Sequence, residues 1–313
     1  MFKFLNHPSQ YANSSELADF AESRAWLEGS FSAQALLSAL GRNNENLRRG
    51  GPGDEDDANE SLAVDVMDVV ARRDNACNGA YPFRVEASGQ LLRYMGDGGS
   101  ESRANIYLYL LLCTRLDMQK YRKLDGKDGT ALFEKLTADV LHNYLGGGRA
   151  RSLVFGTAVP RAFTKKIDTL CNELGEGGAF RTLDADTTPA SSGDGKLDVV
   201  AWVPFQDQRP GKLILFAQSK TGTHWRDTMT QLQPEHFTHK WMRNSIYPAP
   251  MRVFCVAEAV DAHWQNTQTE AGILFDRCRM VDFAHTVPQD TVSEIRAWTQ
   301  EGKKLLLTEA PQA

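Results

Sequence analysis

The sequence lacks the features that would assign it to an exported, disulfide-rich or membrane protein. Its five cysteines are an odd number and none forms a Cys-x-x-Cys pair, so we expect neither a disulfide framework nor a zinc ribbon. No apolar run approaches the length that crosses a membrane, and the amino terminus has no signal-peptide pattern. We therefore expect a soluble protein of the reducing cytoplasm.

Several catalytic motifs are missing as well. The sequence contains no nucleophile elbow, no Walker loop and no dinucleotide-binding fingerprint. It also lacks an excess of positive charge, because its formal net charge is -5 and its pI is near 5.8. A protein of this charge does not coat nucleic acid nonspecifically. Any contact with nucleic acid must therefore be local.

What is present is enough apolar sequence for a sizeable core. The 313 residues are 42% hydrophobic, which suits one large domain or two ordinary ones. Helical periodicity dominates up to residue 118, and a charged, glycine-containing segment follows at 120–129. We predict a mainly helical region at residues 1–125 with a regulatory, targeting or partner-binding role, and a second domain at residues 126–313.

Beyond residue 190 the sequence alternates between strand and helix patterns. Apolar strands are predicted near 199–203, 213–220, 252–257 and 280–284, and helices at 261–276 and 291–300. The first two strands are separated by a turn segment at 204–211, which contains proline, aspartate and glycine. The pattern indicates a hairpin within a mixed α/β sheet.

Three polar residues interrupt the apolar hairpin. Asp198 stands where the first strand begins, and Gln218 and Lys220 stand where the second ends. In an antiparallel pair these positions meet at the same edge of the sheet. Burial of an acid, an amide and a lysine is costly unless they serve each other or a ligand. An ion pair between Asp198 and Lys220, with Gln218 on the surface, is the simplest alternative to a functional site.

The spacing of these residues resembles the active-site signature of the PD-(D/E)xK nuclease superfamily. Asp198 followed by Gln218-x-Lys220 matches the variant typical of Mrr-type restriction endonucleases, and the approach Gly193-Asp-Gly-Lys-Leu-Asp198 is similar to theirs. These enzymes also use an acid from an upstream helix, which corresponds to Glu134 after Phe133. The resemblance covers about residues 126–285. It implies a restriction-endonuclease-like mixed central sheet flanked by helices, behind a helical amino-terminal region.

The resemblance also implies an activity and a role for each residue. We expect a metal-dependent DNA endonuclease that acts in restriction or antiphage defence. Mg²⁺, with Mn²⁺ as a substitute, would be bound by Asp198, Gln218, Glu134 and the backbone carbonyl of Ser219. Lys220 would orient or help deprotonate the attacking water. Glutamine in place of an acid removes one negative charge from the site.

Two segments are candidates for binding the nucleic acid. Residues 149–166 contain five cations and no acid, and the segment after Lys220 contains an imidazole, an indole and a guanidinium. A solvated surface for the first segment, and a core role for Trp225 in the second, are the plain alternatives. The candidate residues are Arg149, Arg151, Arg161, Lys165, Lys166, His224, Trp225 and Arg226.

Two other classes of protein stay open. One is a catalytically inactive module that kept the nuclease fold and binds nucleic acid or assembles with a partner in a defence complex. The other is a structural subunit that uses the apolar helix near Ile106 as an interface. The sequence also leaves open a regulatory or targeting partner protein and a homo-oligomer. We expect no membrane partner.

Overall fold

The computed structural model of the protein describes residues 3, 6–9, 11–41, 54–96, 103–156, 159, 162–181 and 195–309. The helices in these ranges are α1 (Ser14–Glu28), α2 (Ala33–Gly41), α3 (Asp54–Ala76), α4 (Arg103–Arg115), α5 (Gly129–Tyr144), α6 (Phe163–Leu174), α7 (Pro234–Trp241), α8 (Trp264–Ala271), α9 (Arg277–Asp282) and α10 (Gln289–Glu309). The strands are β1 (Ser30–Ser32), β2 (Phe83–Val85), β3 (Leu91–Tyr94), β4 (Lys123–Leu124), β5 (Lys127–Asp128), β6 (Arg151–Val154), β7 (Val199–Trp202), β8 (Ile214–Lys220), β9 (Met251–Val256) and β10 (Ile273–Phe275).

A five-stranded mixed sheet, in the order β10-β9-β8-β7-β6, positions the candidate site. Strands β6, β7 and β8 are antiparallel neighbours, whereas β8, β9 and β10 run parallel to one another. The predicted hairpin is confirmed, because Val199 pairs with Ala217 and Trp202 with Ile214. The prediction of a mixed α/β sheet is therefore correct.

Side chains on the two faces of this sheet belong to different apolar clusters. Val199 and Ala217 belong to the main core, which α5 also joins. Val200 and Phe216, which alternate with them, pack with residues of α6 and α7. The sheet is thus covered by helices on both faces, which explains why its central strands are apolar throughout.

The amino-terminal helices share the main core with the sheet. Leu17 and Tyr107 lie in the same cluster as Phe133 and Trp298, so the predicted boundary at residue 125 does not separate two cores. The same region contains a three-stranded sheet in the order β1-β3-β2. Helix α4 is buried from Ala104 onward and packs against α9 and α10. Its apolar surface is covered by its own chain, which argues against an interface on this helix.

A buried charge cluster joins α1 to α3, α4 and α9. Asp19 and Glu22 of α1 accept hydrogen bonds from Arg73 of α3, each at 2.7 Å, and Arg277 of α9 donates to Asp19 at 2.9 Å. Arg115 of α4 also bonds to Asp19. Burial alone would raise the pKa of Asp19, but the three guanidinium groups outweigh it and hold this pKa well below its usual value. The cluster therefore ties the helical region to the rest of the protein.

The region after β9 differs from the prediction. We expected a helix at 261–276 and a strand at 280–284, but the chain forms a short helix, a strand and then another helix. Gly272, with a φ of +78°, ends α8 and allows β10 to begin. Asp276 then caps α9 by accepting the backbone N–H of Arg279. In the described part of the chain, no helix combines the length and apolar content needed to cross a bilayer.

Candidate active site

Asp198 lies where the ladder between β7 and β8 ends. Its side chain is buried, with 7% exposure. Its backbone N–H donates to the carbonyl of Ala217, and its Oδ2 accepts the backbone N–H of Ser219 at 2.7 Å. The carboxylate is therefore held next to the residue that separates Gln218 from Lys220. This is the position that the sequence predicted for the first acid.

Gln218 is fully buried without the hydrogen bonds that a buried amide requires. Its exposure is 0%, and neither Oε1 nor Nε2 has a hydrogen-bond partner among the described residues. By alternation along β8 it shares a face with Phe216 and Lys220. A buried, unpaired amide costs about 1–3 kcal/mol, so its presence calls for an explanation beyond packing.

Lys220 ends β8 and is partly exposed. Within the ranges that the structure describes, its ammonium group forms no ion pair, neither with Asp198 nor with another acid. The backbone of Lys220 is fixed, because it pairs with Val256 of β9 and its carbonyl accepts the N–H of Ala257. A simple Asp198–Lys220 ion pair with a surface Gln218 is therefore not what the protein contains.

Glu134 comes from α5 and reaches the same end of the sheet. Its exposure is 3%, and its carboxylate lies against Gly156, just beyond β6. A Cβ atom built on Gly156 would stand 2.7 Å from the carboxyl carbon and both oxygens of Glu134. The backbone N–H of Gly156 donates to the carbonyl of Asp198 at 2.9 Å. Glu134 and Asp198 are thus neighbours of one glycine.

Gly156 was not predicted from the sequence as part of the site. The available signal was a glycine directly after a short run of apolar residues, a position where close approach of another group is common. Because α5 packs against the opposite face of the sheet from Gln218, Glu134 needs this opening at the end of β6 to approach Asp198. Glycine provides the opening because it has no side chain.

Helix α5 also contacts β8, one helical turn after Glu134. The hydroxyl of Ser219 donates to the hydroxyl of Thr137 at 3.2 Å. Cys255 of β9 pairs with Ser219 of β8, and its side chain is buried next to this Ser219–Thr137 contact. Burial raises the pKa of its thiol, and the nearby Asp198 carboxylate raises it further. The thiolate form is therefore disfavoured, and the chemistry of the site falls to its oxygen and nitrogen groups.

The predicted basic stretch divides into two parts. Lys166 donates from Nζ to the carbonyl of Gly156 at 2.6 Å, so it adjoins the site, and Lys165 is exposed beside it on α6. Arg151 pairs with Trp202 at the far end of β7, about 13 Å along the strand from Asp198. These positions cannot all contact one phosphate.

The remaining arginines of the stretch also lie away from Asp198 or outside the described residues. Arg149 is exposed, and its guanidinium donates to the carbonyl of Pro204 in the hairpin turn. Arg161 lies outside the described residues, as does the segment 192–194 that leads to the first acid of the site.

Trp225 is not available to stack on a base. Its ring is 1% exposed, packs near Phe254 and donates from Nε1 to Glu258 at 2.8 Å. The alternative interpretation, a core residue, is the correct one. His224 is exposed, and Arg226 is half-exposed, so both stay accessible from solvent.

The donor atoms of the site suit a hard divalent cation. They are the carboxylates of Glu134 and Asp198 and the amide oxygen of Gln218, and all are oxygens, as Mg²⁺ prefers. The described ranges contain no group of three or more histidine, cysteine, aspartate or glutamate side chains placed to hold a metal. A cation here would thus depend on two acids, one amide and water.

Comparison with protein-family models, with curated proteins and with solved structures finds no match to this chain.

Proposed function

We propose that the protein is a metal-dependent nuclease that hydrolyses phosphodiester bonds in DNA on a restriction-endonuclease-like sheet. The observation that carries this proposal is the orphaned amide of Gln218, buried beside the Asp198 carboxylate at the edge of a mixed sheet. A polar group kept there at a cost in stability is explained if its oxygen binds a ligand. The resemblance of Asp198, Gln218 and Lys220 to the PD-(D/E)xK signature supports the same assignment.

The residues of the site would have different roles in hydrolysis. Glu134, Asp198 and Gln218 would hold Mg²⁺, which when bound supplies neutralisation of phosphate charge and activation of water. Lys220, whose ammonium group has no ion-pair partner among the described residues, would orient the attacking water and stabilise charge on the phosphate. Lys166 secures the carbonyl of Gly156 and so the backbone on which Glu134 rests.

The proposed setting is restriction or antiphage defence in the cytoplasm. An unrestrained nuclease damages its own cell, so we expect the amino-terminal region or a partner protein to restrain or target it. Because residues on both sides of position 125 share one core, this restraint has to be tested in the full chain. Truncation would expose that core.

The test uses the purified full chain against supercoiled plasmid, linear duplex and single-stranded DNA, with Mg²⁺, Mn²⁺ or EDTA. We expect cleavage that requires a divalent ion and falls by at least about 10²-fold in Asp198→Asn and Lys220→Met. Lys304→Met, which removes an exposed lysine on α10, is the matched control and should leave the rate unchanged. Undiminished cleavage by both site variants would refute the assignment.

The same assay separates the inactive alternative. A protein that kept the fold without catalysis would bind DNA but show no turnover with either cation, alone or with a cognate partner added. Binding without turnover under all of these conditions would favour a module that recognises nucleic acid in a defence complex.

A further inference from the structure

Three contacts immobilise Arg226 in the segment that follows β8. Its guanidinium stacks on the ring of Trp225, with 4.2 Å from Cζ to the ring centroid. Both terminal nitrogens donate to Oε1 of Glu258 at 3.3 Å. The other oxygen of Glu258 accepts the Trp225 indole N–H, so one carboxylate holds both side chains.

Glu258 itself is fixed at the same edge of the sheet as Lys220. It lies two residues beyond β9, whose last residue, Val256, pairs with Lys220. The distance along the strand from that pair to Glu258 is about 7 Å. Its backbone carbonyl accepts the N–H of Arg277, so the chain is secured on the side away from Lys220 as well. Arg226 is thus anchored close to the candidate site.

This arrangement presents the guanidinium as a prepared anion-binding group. The Arg226 side chain is 48% exposed, whereas that of Glu258 is 8% exposed. A guanidinium has five N–H donors, and the Glu258 contact leaves donors that have no partner in the part of the chain that the structure describes. Held flat on an aromatic ring, such a fork matches the geometry of phosphate and loses little freedom on binding.

The indole N–H of Trp225 does not need a carboxylate at position 258 as its hydrogen-bond acceptor. A glutamine there could accept the indole N–H equally well, but it would bring no negative charge to orient Arg226. The buried carboxylate is explained when its second oxygen has the task of aiming the guanidinium. We infer that Glu258 is a positioning residue that holds Arg226 ready to bind a backbone phosphate of the nucleic acid beside the scissile bond. The inference rests on the proposed nuclease function.

The experiment measures binding rather than cleavage. A fluorescein-labelled DNA duplex and the corresponding single strand are titrated with full-length Asp198→Asn protein, in Ca²⁺, between about 50 and 200 mM salt. In that background Arg226→Gln should reduce the slope of log affinity against log salt by about 0.9 on the duplex. If the two proteins bind equally at about 1 M salt, this change in slope corresponds to binding about eightfold weaker at about 0.1 M salt. Glu258→Gln should produce part of that loss, and the double variant should bind like Arg226→Gln alone.

The matched control is Arg93→Gln, which breaks another exposed arginine–glutamate pair, on β3. It should leave affinity and slope unchanged. An unaltered slope in Arg226→Gln, or equal losses in Arg93→Gln and Arg226→Gln, would overturn the inference. If Glu258→Gln fails to fold, Glu258→Asp takes its place: it keeps the charge but draws the carboxylate back from Arg226, so it should also give part of the loss, and an unaltered slope would overturn the positioning role.

The two proposals can fail separately. Cleavage by the wild-type protein with no change of slope in Arg226→Gln would refute the positioning role and keep the nuclease. The expected binding losses without any cleavage would keep the phosphate contact and refute the nuclease. Absence of binding to both DNA forms would refute both.

Discussion

Replacing Gln218 by methionine should make the protein more stable and, at the same time, inactive. The two side chains are nearly equal in length and volume, so the substitution leaves no large cavity beside Phe216 and removes an amide whose two polar atoms have no partner in the described residues. An unpaired buried amide costs about 1–3 kcal/mol. We therefore expect the free energy of unfolding to rise by that amount.

The stabilisation of the protein by added Mg²⁺ should decrease in the same variant. A cation that binds only the folded protein stabilises it by about 2.7 kcal/mol at a concentration 100 times its Kd. If the Gln218 oxygen is one of three protein ligands, the methionine variant should lose most of this gain, because a thioether is a poor ligand for Mg²⁺. Cleavage should be lost with it.

Both quantities come from urea unfolding followed by circular dichroism, with EDTA and across a Mg²⁺ titration. Gln265→Met, at an exposed position on α8, is the matched control and should change stability by less than about 0.5 kcal/mol. If Gln218→Met instead destabilises the metal-free protein by more than about 1 kcal/mol, the amide is structurally required. The main support for the metal site would then be gone.

Three other substitutions test Gly156, the buried charge cluster and a half-buried acid on α5. Gly156→Ala should displace the Glu134 carboxylate by about 1 Å and reduce cleavage about 10²-fold while the protein stays folded, because the colliding atoms are the end of a flexible side chain. Arg277→Leu should lower the free energy of unfolding by about 3–5 kcal/mol, because it removes one of the three guanidinium groups that compensate the buried acids of α1. Asp139→Asn should stabilise the protein at pH 7 by about 1 kcal/mol, after allowance for screening of this partly exposed group, and by nothing below about pH 3.8.

The first two of these substitutions have variant controls. In a Glu134→Ala background, Gly156→Ala should cause no further loss of cleavage, and a full additional loss would show that the glycine acts otherwise. Arg279→Leu, at an exposed position two residues after Arg277, should cost less than about 1 kcal/mol, and similar costs for both would contradict the role of the buried cluster.

For Asp139 the sign follows from the direction of its pKa shift. Burial, assisted by a nearby carboxylate, raises its pKa from 3.8 to about 6 in the folded protein. Ionisation then favours the unfolded chain, so the penalty develops as pH rises from about 4 to about 6 and persists above it. Equal effects of Asp139→Asn at both ends of this range would exclude the mechanism.

Part of the fold follows from local patterns. The hairpin of β7 and β8 and the positions of Asp198, Gln218 and Lys220 are readable because strand alternation and turn composition are properties of neighbouring residues. Helix α5 could be predicted for the same reason, and the side chain of Asp128 caps its first turn. The order of β10 and α9 was assigned incorrectly because short apolar runs suit either structure, and only the cap at Asp276 separates them.

What the amino-acid sequence determined by itself is the set of chemical groups and the strand ends on which they stand. Only the tertiary structure decided that Gly156 admits Glu134, that Trp225 is buried under Arg226, and that Gln218 is left without a partner. The physical reason is that burial and pairing depend on contacts between segments far apart in the chain. No local pattern of residues records which distant side chain will satisfy a polar group, or which will leave it unpaired.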